Sequence, residues 1–311
     1  MEHAVIGKSI VLVLLVGLLL SIPLWASQYV MYMVMLFGLY LSLAQMWNLL
    51  AGYSGLISLG QQIFIGMGGY TLGVLMMYYG WPVWLSILAG GFVSALFALV
   101  IAIPIFRMSG VYFSIGTWIV AESLKLWFEN WGYTGKAQRF VITPCLTNTQ
   151  LYYMATGIGI VSVAVVFLLL RSRLGLSLMA MRDDEGASEG VGVNRFRSKL
   201  ICFLVAAFVT GITAGVLFLD QGAIIPKTAF GIDWTVYLCF IVIIGGIGTI
   251  EGPIAGALIY VVLQQYFAEY TSISMILLGG VSVLTMLVMP KGIMGTVQEK
   301  LGFELLSPRR T

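Results

Sequence analysis

The sequence predicts an all-α protein: a polytopic membrane helix bundle of about ten transmembrane spans with both termini in the cytoplasm. Three observations predict it. Hydrophobic residues make up 60% of the chain and charged residues only 9%, whereas an average soluble domain is about a quarter charged. Between Lys8 and Arg107 there is no charged residue and no histidine. A run of that length cannot all be buried in a soluble core, so it requires a solvent that prefers apolar surface. Finally, apolar segments of about 20 residues, the length that crosses the hydrocarbon as a helix, recur between polar breaks. This excludes a soluble enzyme, a disordered chain and a nucleic-acid binder.

The first segment, 9–26, follows Lys8 and has the outline of a signal peptide. A second apolar run begins almost at once, with no polar mature domain between, so it reads as a retained first span. Pro23 and the Ser27–Gln28 pair separate it from 29–50, and the turn signals Gly52 to Gly55 separate that from 57–79. Gly80-Trp81-Pro82 precedes 83–105, and Arg107 to Gly110 precedes 110–131. A polar external loop, 132–150, leads to 151–170, and a longer polar loop, 171–199, leads to 200–219. Three spans follow at 233–249, 252–269 and 273–290, the first of them short and ending in glycines. With no polar domain to set apart, residues 1–311 read as a single transmembrane domain. The 37 glycines suit close helix packing and broken helices rather than a lipid-facing β-barrel, whose strands alternate.

Basic residues set the orientation. With the 171–199 loop in the cytoplasm, that side holds Lys8, Arg107, Arg171, Arg173, Arg182, Arg195, Arg197, Lys199, Lys291, Lys300, Arg309 and Arg310. Lys136, Arg139 and Lys227 fall outside, with Lys125 near the outer end of a span. The three cysteines are far apart and the single histidine is His3, so no metal site and no cofactor are expected.

Several constellations stand out. Asn48, Gly52, Tyr53, Ser54, Gly55, Ser58, Gln61 and Gln62 interrupt two uncharged spans. A helix break in a membrane leaves backbone groups that need partners in protein or in a wet cavity, and transporters place polar substrates at such breaks. The alternative is an ordinary cytoplasmic hairpin. Gly245, Gly246, Gly248, Thr249, Glu251, Gly252 and Pro253 form a second break, which either lines a path or brings two helices together. Its Gly245 and Gly248 echo Gly52 and Gly55, which would suit a parallel internal repeat. Glu122, Lys125 and Glu129 share one helical face, where Lys125 can bridge both carboxylates. Glu129 and Lys125 fit the outer headgroups, whereas Glu122 lies about two turns deeper, as a pathway residue or a structural ion pair. The candidate solute-path set is therefore Asn48, Gly52, Tyr53, Ser54, Gly55, Ser58, Gln61, Glu122, Gly245, Gly248 and Thr249. In the 171–199 loop, Leu174, Leu178 and Met181 recur at helical spacing before a segment of mixed charge, which predicts a short amphipathic surface helix ending at Gly192.

Four stretches together carry a family likeness: Asn48 to Gly60, Gly110 to Phe113, Arg182 to Asn194 and Gly245 to Pro253. In their order and spacing the chain resembles the permease subunits of branched-chain amino acid ABC importers, LivM type. That resemblance implies two ATP-binding cassette subunits, a paralogous permease or a second copy, and an extracytoplasmic solute-binding protein as partners, in a prokaryotic cell membrane. It also implies that Asp184, Glu185, Ala187, Glu189 and Gly192 dock in the ATPase. Gly186, Ser188 and Gly190 depart from the family's alanine-rich pattern, which loosens a helix there by about 1 kcal/mol per glycine.

Two other classes remain to be weighed. An ion-driven secondary transporter would want titratable groups at the midplane, where Glu122 is the one fair candidate. An intramembrane enzyme would need a nucleophile–base pair or a metal cluster, and none is visible. Among neutral solutes, urea and short amides are the alternative to branched-chain amino acids, since related permeases carry them. No phosphate-binding GxxxxGK[ST] motif occurs, so ATP hydrolysis would belong to the partners.

Overall fold

The computed structural model describes residues 16–143, 146–183, 194–266 and 271–301. Helix α1 (Val16–Trp25) precedes α2 (Gln28–Asn48), where the Ser27 hydroxyl accepts the Val30 amide and caps the first turn. A wide π turn, Leu49–Tyr53, continues α2. Helix α3 (Gln62–Tyr79) stops at Gly80, which is left-handed. Helix α4 (Val83–Ile105) starts directly after Pro82, and α5 (Val111–Asn130) follows Gly110. A two-residue strand β1 (Phe140–Val141) precedes α6 (Asn148–Arg171), which opens with a Thr147–Gln150 capping box. Helix α7 (Arg173–Asp183) lies before α8 (Arg195–Gln221), whose first turn is capped by Asn194. Strand β2 (Ala223–Ile224) pairs antiparallel with β1, Phe140 opposite Ile224. The single turn α9 (Pro226–Ala229) leads to α10 (Asp233–Gly245), α11 (Gly252–Tyr266), α12 (Thr271–Val288) and α13 (Gly292–Leu301).

This is a helical membrane bundle, and each expected span holds a helix. Among the described residues, five helical stretches are long and apolar enough to cross a membrane: Gln28–Tyr53, Val83–Ile105, Asn148–Arg171, Arg195–Gln221 and Pro226–Gly245. Two boundaries need correcting. The span expected from residue 57 becomes helical only at Gln62. Its first residues stay non-helical because side chains of α5 hold their backbone: Ser114 donates to the Ile57 carbonyl (2.6 Å) and Leu59 donates to Thr117 Oγ1 (3.1 Å). The span expected over 233–249 ends at Gly245, since Gly246 and Gly248 have φ of 125° and 76°, values that suit glycine and end a helix.

Helix α2 is the axis of the bundle: every residue from Gly38 to Tyr53 is buried, as expected of a helix packed on all sides. Around it lie two apolar clusters. One gathers Tyr40, Tyr70, Phe128, Tyr152, Phe218, Phe230, Trp234 and Tyr260. The other gathers Leu49, Tyr53, Phe64, Ile105, Phe113, Leu170, Met181 and Phe203. The β1–β2 pairing sets the loop that carries Arg139 beside the strand that precedes Lys227, so residues expected on the outer side are neighbours.

Helices α3, α4 and α8 approach backbone to backbone at three glycines, with Ser94 packed beside them. A Cβ on Gly68 would lie 2.7 Å from the Gly211 Cα, and one on Gly90 would lie 2.8 Å from the Gly68 carbonyl oxygen. One on Gly211 would lie 2.8 Å from the Gly90 carbonyl oxygen. Without an aqueous driving force between helices, such close backbone approach is a main source of packing energy in a bilayer.

Candidate functional site

The two glycine-rich breaks, distant in sequence, meet in space. The π turn widens the end of α2, and Leu56 donates back to the Leu50 carbonyl (2.9 Å) where Gly55 turns the chain at φ 70°. Against this end sits the loop between α10 and α11. A Cβ on Gly52 would stand 2.6 Å from the Gly248 amide nitrogen, so the two backbones touch. Asn48 bridges them with both halves of its amide: Oδ1 accepts from the Gly248 N–H (2.9 Å) and Nδ2 donates to the Thr249 carbonyl (2.8 Å). One turn earlier Gln45 donates to the Ile250 carbonyl (2.6 Å). Thr249 closes the loop upon itself, donating to the Gly246 carbonyl (2.8 Å) and accepting from the Gly252 N–H (3.0 Å) at the start of α11. Backbone groups freed by the second break are thus met by side-chain amides of α2 and by the Thr249 hydroxyl, as a membrane interior demands. Gly245 completes the junction, its Cα facing the backbone of Gly252 and Gly256. Buried Glu251 accepts from the Gln298 amide and so ties α13 to the same place.

The other polar candidates line the approach to this junction. Ser54 donates to the Leu50 carbonyl (2.7 Å), and the Ser58 carbonyl accepts from Trp47 Nε1 (2.9 Å). Gln61 donates to Thr210 Oγ1 on α8 (2.7 Å), and Gln62 accepts from the Thr235 hydroxyl on α10. Asn48, Tyr53, Ser54, Ser58 and Gln61 are all buried. Their hydrogen bonds tie α2 and the stretch after it to α8 and to the α10–α11 loop. Gln45 and Thr210 were not singled out in the sequence. A glutamine in the middle of an uncharged span was the signal for the first; a lone threonine on a helix gives none.

Glu122 lies elsewhere. It forms an ion pair with Lys125 on α5, the Glu122 side chain 42% exposed and that of Lys125 19%. The pair is partly covered on α5, and neither residue bonds any group of the junction.

Residues Asp184, Glu185, Ala187, Glu189 and Gly192 lie outside the described residues. The helix before them is described: α7 buries Leu178 and Met181 in the apolar cluster beside Leu170 and Phe203, so the amphipathic stripe faces the bundle. Its penultimate residue, Arg182, reaches the junction of the breaks and donates from Nη1 to the Gly52 carbonyl (2.7 Å). The same guanidinium lies against Gly248, where an added Cβ would come within 2.7 Å of Nη1. Arg182 marked the start of the charged loop in the sequence but carried no assigned role. Its partner is a backbone carbonyl, which leaves no trace in a sequence.

The family described as "Branched-chain amino acid transport system / permease component" matches residues 29–289. The chain is 26% identical over 334 residues to the high-affinity branched-chain amino acid transport system permease protein LivM of Escherichia coli, covering 96% of this chain and 78% of that protein. It is 24% identical to the probable LivM permease of Methanocaldococcus jannaschii, over 75% of this chain and 80% of that one. The LivH permease of Salmonella typhimurium is 26% identical over 57% of this chain and 63% of its own length. No solved structure matches the chain. The family match runs from α2 through α12 and includes both breaks, so this chain belongs to the branched-chain amino acid transport system permease family.

Proposed function

We propose that the chain is the permease subunit of an ATP-binding-cassette importer that moves branched-chain amino acids across the cell membrane. It works beside a second permease, with two ATP-binding subunits on the cytoplasmic side and a solute-binding protein outside. Bond-breaking chemistry belongs to the ATP-binding partners. The single observation that carries this reading is the hydrogen bond from Arg182 to Gly52. It joins the helix that leads into residues 184–193 directly to the place where two broken spans meet. A partner that moved this segment would act on the junction without an intermediary, and a coupling handle needs such a connection.

In this reading Asp184, Glu185, Ala187, Glu189 and Gly192 dock in the ATPase. Asn48, Gly52, Tyr53, Ser54, Gly55, Ser58, Gln61, Gly245, Gly248 and Thr249 serve the solute path as its hinge, because Asn48 joins the two breaks and Gln61 ties the adjoining stretch to α8. Glu122 faces the path itself.

The test is uptake into vesicles containing the assembled complex. Leucine uptake is expected to require internal ATP and to persist when proton and sodium gradients are collapsed. Uptake driven by a gradient without ATP sinks the reading, and competition by urea but not by isoleucine moves the substrate to amides.

A further inference from the structure

Helix α5 is the outlier of the bundle. Its buried residues form one narrow stripe, Phe113, Thr117, Ala121 and Phe128, while Tyr112, Ile119 and Trp127 stand 75%, 56% and 53% exposed. Its outward side would suit lipid but for one feature. At 100° per residue, Glu122 sits roughly 135° around the helix from the centre of that stripe. It lies about 12 Å from the outer end of a span about 30 Å long. Among the described residues Glu122 and Lys125 bond only each other. Ionisable groups at that depth face protein or water, not acyl chains. On the cytoplasmic half of the same side a groove of about 470 Å³ runs from Arg107 and Ser109 past Tyr112 and Gly116 to Ile119, one turn from Glu122. The groove thus ends one helical turn short of the ion pair, on the cytoplasmic side of it.

We propose that this outward side of α5 is one wall of the solute path, closed by the second permease, and that the Glu122–Lys125 pair opens to hold the zwitterionic head of the amino acid. This deepens the importer reading and rests on it. A neutral amino acid carries an ammonium and a carboxylate a few ångströms apart, and the pair presents the complementary carboxylate and ammonium. Glu122 takes the α-ammonium and Lys125 the α-carboxylate, each charge exchanging one opposite partner for another. The apolar side chain of the solute then lies on Ile119 and Trp118. A self-satisfied pair costs little to keep in the empty path and still gives a zwitterion somewhere to stop. A solute of single charge would leave one member of the pair unmatched.

The test uses the full complex in vesicles, with Cys145, Cys202 and Cys239 replaced and I119C introduced next to an intact ion pair. A membrane-impermeant aqueous thiol reagent is expected to label I119C. Leucine at about ten times its half-saturating concentration is expected to slow labelling about tenfold. Adding E122Q is expected to abolish that protection while labelling continues. An unlabelled I119C, which means a lipid-facing residue, overturns the assignment of the wall. Protection that survives E122Q overturns the role of the pair. Uptake by the unaltered complex is measured alongside, and its failure alone strikes the importer reading, since labelling and protection do not depend on turnover.

Discussion

Arg182 holds the carbonyl of Gly52 from 130 positions away in the sequence, at 2.7 Å. This charged hydrogen bond joins α7 to the broken end of α2. Such bonds contribute about 1.5–3 kcal/mol when protected from water, and the value falls toward 1 kcal/mol where the guanidinium is partly exposed. Stability therefore changes little in R182A. The expected result is loss of communication instead: solute-stimulated ATP hydrolysis by the complex drops about tenfold while unstimulated hydrolysis and assembly stay near normal. R182K, which can still donate to a carbonyl, recovers part of it. The measurement is ATPase rate with and without loaded solute-binding protein.

The meeting of Gly52 and Gly248 leaves no room for a methyl group, since a Cβ on Gly52 would stand 2.6 Å from a backbone nitrogen. Overpacking of this kind costs about 1–3 kcal/mol. G52A is expected to lower the melting temperature of the purified complex and to reduce its yield. The neighbouring G55A reports a different cost. A Cβ on Gly55 would make only an ordinary contact, 3.9 Å from the Arg182 Cα, but φ is 70°, so backbone strain of about 1–2 kcal/mol is the main cost. A smaller drop in melting temperature than for G52A is the expected outcome.

Asn48 is one amide answering two backbone groups, and its two halves can be separated by substitution. N48A strands the Gly248 N–H and the Thr249 carbonyl in a buried site, about 1–3 kcal/mol for each unsatisfied group. N48D keeps an acceptor for Gly248 but sets a carboxylate against the Thr249 carbonyl, where Nδ2 now donates at 2.8 Å. Thermal unfolding in detergent is expected to rank wild type above N48A, and N48A above N48D. Equal melting of the two variants would show that the Thr249 contact contributes nothing.

The seam of α3, α4 and α8 predicts a contrast between two glycine substitutions. G211A drives a methyl into the Gly90 carbonyl oxygen, 2.8 Å away, whereas nothing lies within 4 Å of a Cβ added at Gly157 on α6. G157A is therefore expected to be neutral or slightly stabilising, because alanine is the better helix former by about 1 kcal/mol. G211A is expected to destabilise by about 1–3 kcal/mol. Detergent resistance of the two proteins, measured side by side, checks the pair.

How much of this was visible in the sequence depends on whether the signal was local. The span over 83–105 matches α4 at both ends, because Pro82 and the hairpin at Arg107–Gly110 are local stop signals. Ile57 to Gln61 reads as membrane helix by hydropathy and is not helical, because Ser114 and Thr117 from α5 hold its backbone. The breaks at Gly52 and Gly248 were legible as breaks, while their contact was not, since nothing in two glycines names a partner. Glu122 was legible as an ionisable residue in a span. That it faces away from the bundle follows only from which side of α5 is packed.

The seam at Gly68, Gly90 and Gly211 has a mechanical consequence. Backbones in contact at these three glycines leave little room for one helix to slide past another, which favours movement of α3, α4 and α8 together. The joint between Asn48 and the α10–α11 loop is fastened differently, by single hydrogen bonds that can be exchanged one at a time. Any rocking of this subunit therefore pivots there, with the glycine-welded block as the lever and Arg182 as the hand upon it.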